Sequence, residues 1–90
     1  MKQEEIIRIL KDYIRENYPT ARGRKDLSIE ESLYDTGILD SFGVVELVGF
    51  IENHWNIRIE DREITKEKFG GILKMAILIE EKSSSKDSSA

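Results

Sequence analysis

Apolar residues recur every three or four positions in three separate stretches of this chain, and nowhere do they alternate convincingly with polar ones. Ile6, Ile7, Leu10, Tyr13 and Ile14, with Glu4, Lys11, Asp12 and Arg15 between them, predict an amphipathic helix over residues 3–17. Tyr18-Pro19 ends it, because a proline pushes the residue before it out of the helical region. Val44, Leu47, Val48, Ile51 and Trp55 share one face of a second helix over about 41–55. After Ile57 and Ile59, which anchor a short connection, Thr65-Lys66-Glu67-Lys68-Phe69 suits a brief helical turn. Gly70-Gly71 interrupts, and Ile72, Leu73, Ala76, Ile77 and Ile79 resume the helical pattern to about Lys82. Amphipathic helices must bury their apolar stripes against one another, so the expected fold is all-α. It is a small four-helix bundle with one short helix and a long loop between the first two helices, antiparallel where the loops permit.

Ninety residues at 39% hydrophobic content support one small domain with one modest core. That domain is expected over residues 1–82, followed by a polar, Ser-rich disordered tail over 83–90 with nothing apolar to fold around. The long loop, residues 18–40, holds Pro19, Gly23 and Gly37 but also Leu27, Ile29, Leu33, Tyr34, Ile38 and Leu39. Those apolar positions predict a loop pinned to the core, and loops of such length are usually functional or flexible. Its basic patch, Arg22-Gly23-Arg24-Lys25, reads as a solvated surface able to meet an acidic group on a partner.

Composition removes most chemistry. With no cysteine there are no disulfides and no thiolate metal sites, which allows a cytoplasmic setting, and any thiol chemistry must be imported. The N-terminus and the short apolar runs predict neither a signal peptide nor a membrane span. A serine hydrolase needs a base beside its nucleophile. The single histidine, His54, falls thirteen positions after Ser41 on the same predicted helix, roughly 20 Å away at 1.5 Å per residue. Leu39 also stands where a nucleophile elbow places glycine, so no catalytic residues and no enzyme activity are expected. The carboxylate pairs Glu30-Glu31 and Glu80-Glu81 are expected to be solvated charges, with no metal site.

The net charge of −4 is unevenly placed. Asp26, Glu30, Glu31, Asp35, Asp40, Glu46 and Glu52 fall between residues 26 and 57, where there is no Lys or Arg. Nucleic acid would be repelled there, whereas a basic protein surface would be drawn in. At the centre of this stretch stands Gly37-Ile38-Leu39-Asp40-Ser41-Phe42-Gly43-Val44-Val45-Glu46-Leu47. Asp-Ser before an apolar run is by itself an ordinary helix N-cap, a role worth about 1 kcal/mol. It also puts the Ser41 hydroxyl among the unpaired N–H groups of a first helical turn, where a phosphodiester would gain roughly 0.3–1 kcal/mol. Phe42, Val45, Glu46, Gly49 and Glu52 fall opposite the core stripe and form a candidate partner surface beside Ser41.

The whole string resembles the attachment site of acyl carrier proteins, Asp-Ser-[Leu/Met/Phe]-x-x-x-Glu-Leu with a glycine a few residues before. The likeness runs from about Ile6 to Ile79 and includes Glu31-Ser32-Leu33-Tyr34-Asp35 and Ile64-Thr65-Lys66-Glu67-Lys68-Phe69. It implies the acyl-carrier bundle, with Ser41 esterified by 4′-phosphopantetheine from coenzyme A and Asp40 as flanking acid and cap. A phosphopantetheinyl transferase would install the group. Acyl- or aminoacyl-loading and acyl-transferring enzymes with basic docking surfaces would then act on a monomeric carrier, in fatty acid, lipid or specialised acyl biosynthesis. The same residues also resemble D-alanyl carrier proteins, which hold D-alanine for cell-wall polymers. A reading from a different class is an acidic helical interaction module that carries nothing and does not need Ser41.

Two departures bear on the cargo. Carriers of bacterial fatty acid synthesis usually place a carboxylate two residues after the modified serine, and a denser acidic run along that helix. Here those positions hold Gly43 and, later, Asn53 and His54, while Glu46 and Glu52 match the family's docking acids. Phe50 and Trp55 are bulky for a bundle that must open around a long acyl chain, so long chains are expected to be poorly sequestered.

Overall fold

A computed structural model describes residues 2–22 and 27–88. Among these residues four α-helices form, α1 (Gln3–Asn17), α2 (Ser41–Trp55), α3 (Lys66–Phe69) and α4 (Ile72–Ser88), with a 3₁₀ turn over Asp61–Glu63. No strand occurs among the described residues, so the fold is the all-α bundle that the spacing predicts. α1 and α2 begin and end at the expected residues. α4 runs to Ser88, beyond the end expected near Lys82. Residues 83–88 contain neither glycine nor proline, and serine, lysine and aspartate each cost well under about 1 kcal/mol in a helix, so nothing stops propagation. Residues 89 and 90 of the Ser-rich segment lie outside the described residues, as does most of the basic patch, residues 23–25.

The core follows the predicted stripes except in α4, where Ile77 is exposed and Leu73 half-buried, and Met75 and Leu78 are buried instead. Ile6, Leu10 and Ile14 of α1, Leu47 and Ile51 of α2, Phe69 of α3, and Ile72, Met75, Ala76 and Ile79 of α4 are all fully buried. No polar or charged residue is classed as buried among those described, so apolar contact is what holds the bundle together. In α2 the stripe is narrower than its sequence: Leu47, Ile51 and Trp55 are buried, while Val44 and Val48 are half-buried against the core. α1 and α2 run antiparallel, since Tyr18 meets Gly43 at one end of the pair and Tyr13 stacks on Phe50 further along.

The long loop is pinned as expected. Leu27, Leu33, Ile38 and Leu39 are buried, and Ile29 and Tyr34 are partly so. Backbone bonds then tie the loop to the α3–α4 junction, Leu33 N–H to the Gly70 carbonyl (2.8 Å) and Leu73 N–H to the Ile29 carbonyl (3.0 Å). The second satisfies a donor in the first turn of α4 that has no partner within its own helix. Gly71 permits this approach, because a Cβ there would lie 3.1 Å from the Glu31 carbonyl oxygen. Closer to α2, the Leu39 N–H bonds the Leu33 carbonyl at 2.9 Å, and Gly37 adopts φ +81°, a turn conformation that side chains disfavour. The chain is thus delivered to Asp40 along a fixed path.

Candidate functional site at the start of the second helix

Asp40 has extended backbone (φ −118°, ψ −171°), and its Oδ1 accepts the Gly43 N–H at 2.7 Å, which is the N-cap the sequence predicts. Ser41 follows as the first helical residue and is exposed. The cap changes what the helix end offers an anion. Gly43 N–H is occupied by Asp40, and Val44 N–H bonds the Asp40 carbonyl at 3.0 Å. Of the first-turn donors, only those of Ser41 and Phe42 lack a partner among the described residues. A phosphodiester on Ser41 would share this helix end with the Asp40 carboxylate, and so gains less from the dipole than an uncapped terminus would give. The donor set nonetheless fits an esterified phosphate: an exposed hydroxyl, two open N–H groups and no steric cover.

The other wall of the site comes from α1, and the sequence reading missed it. Tyr18, the residue that closes α1, is 5% exposed and donates its hydroxyl proton to the Gly43 carbonyl at 2.6 Å. Its ring occupies the space that a side chain at position 43 would need: a Cβ there would stand 2.8 Å from Tyr18 Cε2 and 3.2 Å from Asp40 Oδ1. Gly43 is therefore held at its N–H by Asp40 and at its carbonyl by Tyr18. Burial, then the neighbouring Tyr13, Glu46 and Asp40, pushes the Tyr18 phenol far above its ordinary range, so it remains a donor at any ordinary pH. The available signal was Gly43 itself. A glycine in a helix costs about 1 kcal/mol against alanine and calls for a packing reason.

The five partner-surface residues divide. Phe42 is 81% exposed and Val45 69%, and Glu46 is exposed with them. Gly49 is half-buried, but a Cβ built there meets nothing within 4 Å, so its outer side is open. Glu52 is half-buried, and its Oε2 accepts the Ile59 N–H at 2.9 Å, tying the end of α2 to the following connection. His54 sits at the far end of α2 from Ser41, against the rings of Phe50 (5.3 Å) and Trp55 (4.6 Å), and cannot act as its base. No group of three or more potential metal ligands occurs among the described residues, and no helix there is long and apolar enough to cross a membrane.

No family model matches the chain. It is similar to D-alanyl carrier proteins of Streptococcus pyogenes, with 34% identity over 53 residues to the protein of serotype M5 (strain Manfredo). The match covers 59% of this chain and 67% of that relative, and the serotype M49 (strain NZ131) and M1 proteins align equally. Among solved structures, a chain from one titled "Crystal structure of FAD-dependent dehydrogenase" superposes with a TM-score of 0.70 at 28% identity, over 78% of this chain and 97% of that one. An Asp-capped, exposed serine opening the second helix of an all-α bundle, together with relatives of this kind, establishes that the chain belongs to the acyl and peptidyl carrier protein family, and that its role is that of a carrier.

Proposed function

We propose that Ser41 is the residue esterified by 4′-phosphopantetheine, and that the loaded protein presents a small acyl or aminoacyl group to partner enzymes. The observation that carries this reading is the exposed Ser41 at the first position of α2, beside an aspartate already committed to capping. When bound, the group supplies a thiol that holds the cargo as a thioester. The chain's own residues fix where that arm begins. Asp40 and Tyr18 clamp Gly43 from both sides, and Phe42, Val45 and Glu46 offer a surface to the enzymes that must reach Ser41. The D-alanyl relatives support an aminoacyl cargo, with D-alanine the first candidate, over general fatty acid synthesis. Intact mass spectrometry after incubation with coenzyme A and a broad-specificity phosphopantetheinyl transferase tests the attachment. One addition is expected on the wild type and none on Ser41→Ala; no addition to either leaves Ser41 an ordinary first-turn residue behind the Asp40 cap and favours an interaction module.

A second fate for the cargo is supported by the structural likeness to a chain in an FAD-dependent dehydrogenase structure. In that reading the tethered group is oxidised by a flavoenzyme, with hydride passing to the flavin and a proton to a base of that enzyme. Loss of two hydrogens from the loaded protein, seen by mass in the presence of such an enzyme, is the expected result. An unchanged mass with every cargo tried removes this reading.

A further inference from the structure

The Ser41 side chain is exposed and makes no hydrogen bond among the described residues. Its place is therefore set through the backbone, by Asp40 before it and Gly43 two residues after. Asp40 closes the turn onto the Gly43 N–H, but both belong to the same turn, and glycine adds no stiffness of its own. What ties that turn to the rest of the fold is the buried bond from the Tyr18 hydroxyl to the Gly43 carbonyl, at 2.6 Å. Tyr18 is itself held on several sides. Its N–H bonds the Ile14 carbonyl at 3.0 Å, its carbonyl accepts the Ala21 and Arg22 N–H groups at 2.9 and 3.0 Å, and Pro19 follows it. Its ring meets Tyr13 edge-on at 6.0 Å, and Tyr13 in turn stacks on Phe50. α1 thus grips α2 at Gly43 and again about two turns later at Phe50, which fixes the direction of the helix as well as its start.

We infer that Tyr18 is a positioning residue for transfer at Ser41: its hydroxyl holds the first turn of α2 so that the serine Oγ is presented in one direction to an enzyme-bound phosphate donor. The inference rests on attachment at Ser41. In that reaction Oγ bonds the phosphorus that carries the pantetheine, and the bond from phosphorus to adenosine 3′,5′-bisphosphate breaks. The bisphosphate leaves, and the hydroxyl proton passes to a base of the transferase. Displacement at phosphorus runs in line, so an oxygen that wanders with a fraying turn is out of line for part of the time. In Tyr18→Phe the ring still packs against Gly43, but the turn must be ordered within the enzyme complex, and that cost falls on the chemical step. The exposed surface that a transferase covers is the same in both proteins, so binding is retained.

The test is single-turnover transfer from coenzyme A to the full chain by an excess of broad-specificity transferase, well below the unfolding temperature of every variant. Tyr18→Phe is expected to lower the limiting rate about fivefold, with the half-saturating transferase concentration within about twofold of wild type. Amide exchange of Gly43 and Val44, whose N–H groups close the cap, is expected to quicken in the same variant. Ile79→Val separates positioning from stability. Ile79 is fully buried in α4, beside Glu80, which Gln3 reaches at the opposite end of α1 from Tyr18. Its truncation costs a comparable amount of stability, yet it should leave the limiting rate and the Gly43 exchange unchanged. A limiting rate in Tyr18→Phe within twofold of wild type, or an equal fall in Ile79→Val, overturns the positioning role and leaves attachment standing. No addition to the wild type overturns attachment at Ser41 and the inference with it.

Discussion

The Tyr18 hydroxyl donates a hydrogen bond to the Gly43 carbonyl across 25 residues of sequence, and this bond joins the end of α1 to the first turn of α2. Gly43 is also the third residue of the helix capped by Asp40, so one residue couples the cap, the candidate attachment serine and the neighbouring helix. The consequences can be measured separately.

Two glycines of the same helix respond in opposite directions to the same substitution. Gly43→Ala drives a methyl against Tyr18 Cε2 and is expected to destabilise the protein by roughly 1–3 kcal/mol, despite the better helix propensity of alanine. Gly49→Ala meets nothing and is expected to stabilise by about 0.5–1 kcal/mol. Urea unfolding of the two variants checks this, and equal signs contradict the packing described.

Tyr18→Phe removes the hydroxyl and keeps the ring, at an expected cost of about 1 kcal/mol. It also changes the alkaline limb. Tyr18 resists ionisation when folded, chiefly through burial, whereas an unfolded tyrosine ionises near pH 10. Its contribution is therefore intact below that pH and is lost as the pH rises through the higher folded value. Urea midpoints above pH 10 should fall less steeply in Tyr18→Phe than in the wild type. Parallel curves would remove the phenol from the account.

On the acid side the groups are Asp35 and Glu63. A hydrogen bond from Lys66 and its charge hold Asp35 below the usual carboxylate range. Burial pushes Glu63 up, but the Lys82 hydrogen bond, the Glu60 N–H and the charges of Lys82 and Lys68 outweigh it and bring it down. Both contribute stability above the range where an unfolded carboxylate titrates, about pH 4, and lose it as the pH falls through their lower folded values. Lys82→Met is expected to flatten the acid limb of stability against pH, and an unaltered limb contradicts the pairing.

Tyr13 and Phe50 stack at 3.9 Å with their planes 11° apart, closing the seam between α1 and α2, and Trp55 lies edge-on to Phe50 at 6.0 Å. Such pairs contribute about 0.5–1.5 kcal/mol beyond area burial, which an acyl chain entering here would forfeit. Loading with a long acyl group is therefore expected to raise Tm no more than loading with acetyl. A clear extra stabilisation by the long chain would show a bundle that opens.

Gly37→Ala places a methyl-bearing residue at φ +81° in the turn leading to Asp40, and is expected to cost about 1–2 kcal/mol. Because the site for Cβ is otherwise open, the loss is backbone strain alone. Gly37→Asn, whose side chain tolerates this region better, should recover part of it.

Local pattern was legible in the sequence because it is written within a few residues. The bounds of α1 and α2, the Asp40 cap, the short α3 and the buried loop positions Leu27, Leu33, Ile38 and Leu39 all follow from spacing and capping chemistry. The 3₁₀ turn over Asp61–Glu63 was not legible, since its signal is a reciprocal capping box of Glu60 and Glu63 with no apolar period behind it. Tyr18 over Gly43, and Glu52 on Ile59, depend on how elements come together. The run of α4 past Lys82 shows that a polar, Ser-rich composition does not itself end a helix.

Mapping the modified peptide by tandem mass spectrometry, on protein purified from the cells that make it, tests the central claim most directly. Phosphopantetheine on Ser41, and on no other serine, is the predicted result. Modification elsewhere, or an unmodified Ser41 in cells whose transferase modifies other carriers, would contradict it.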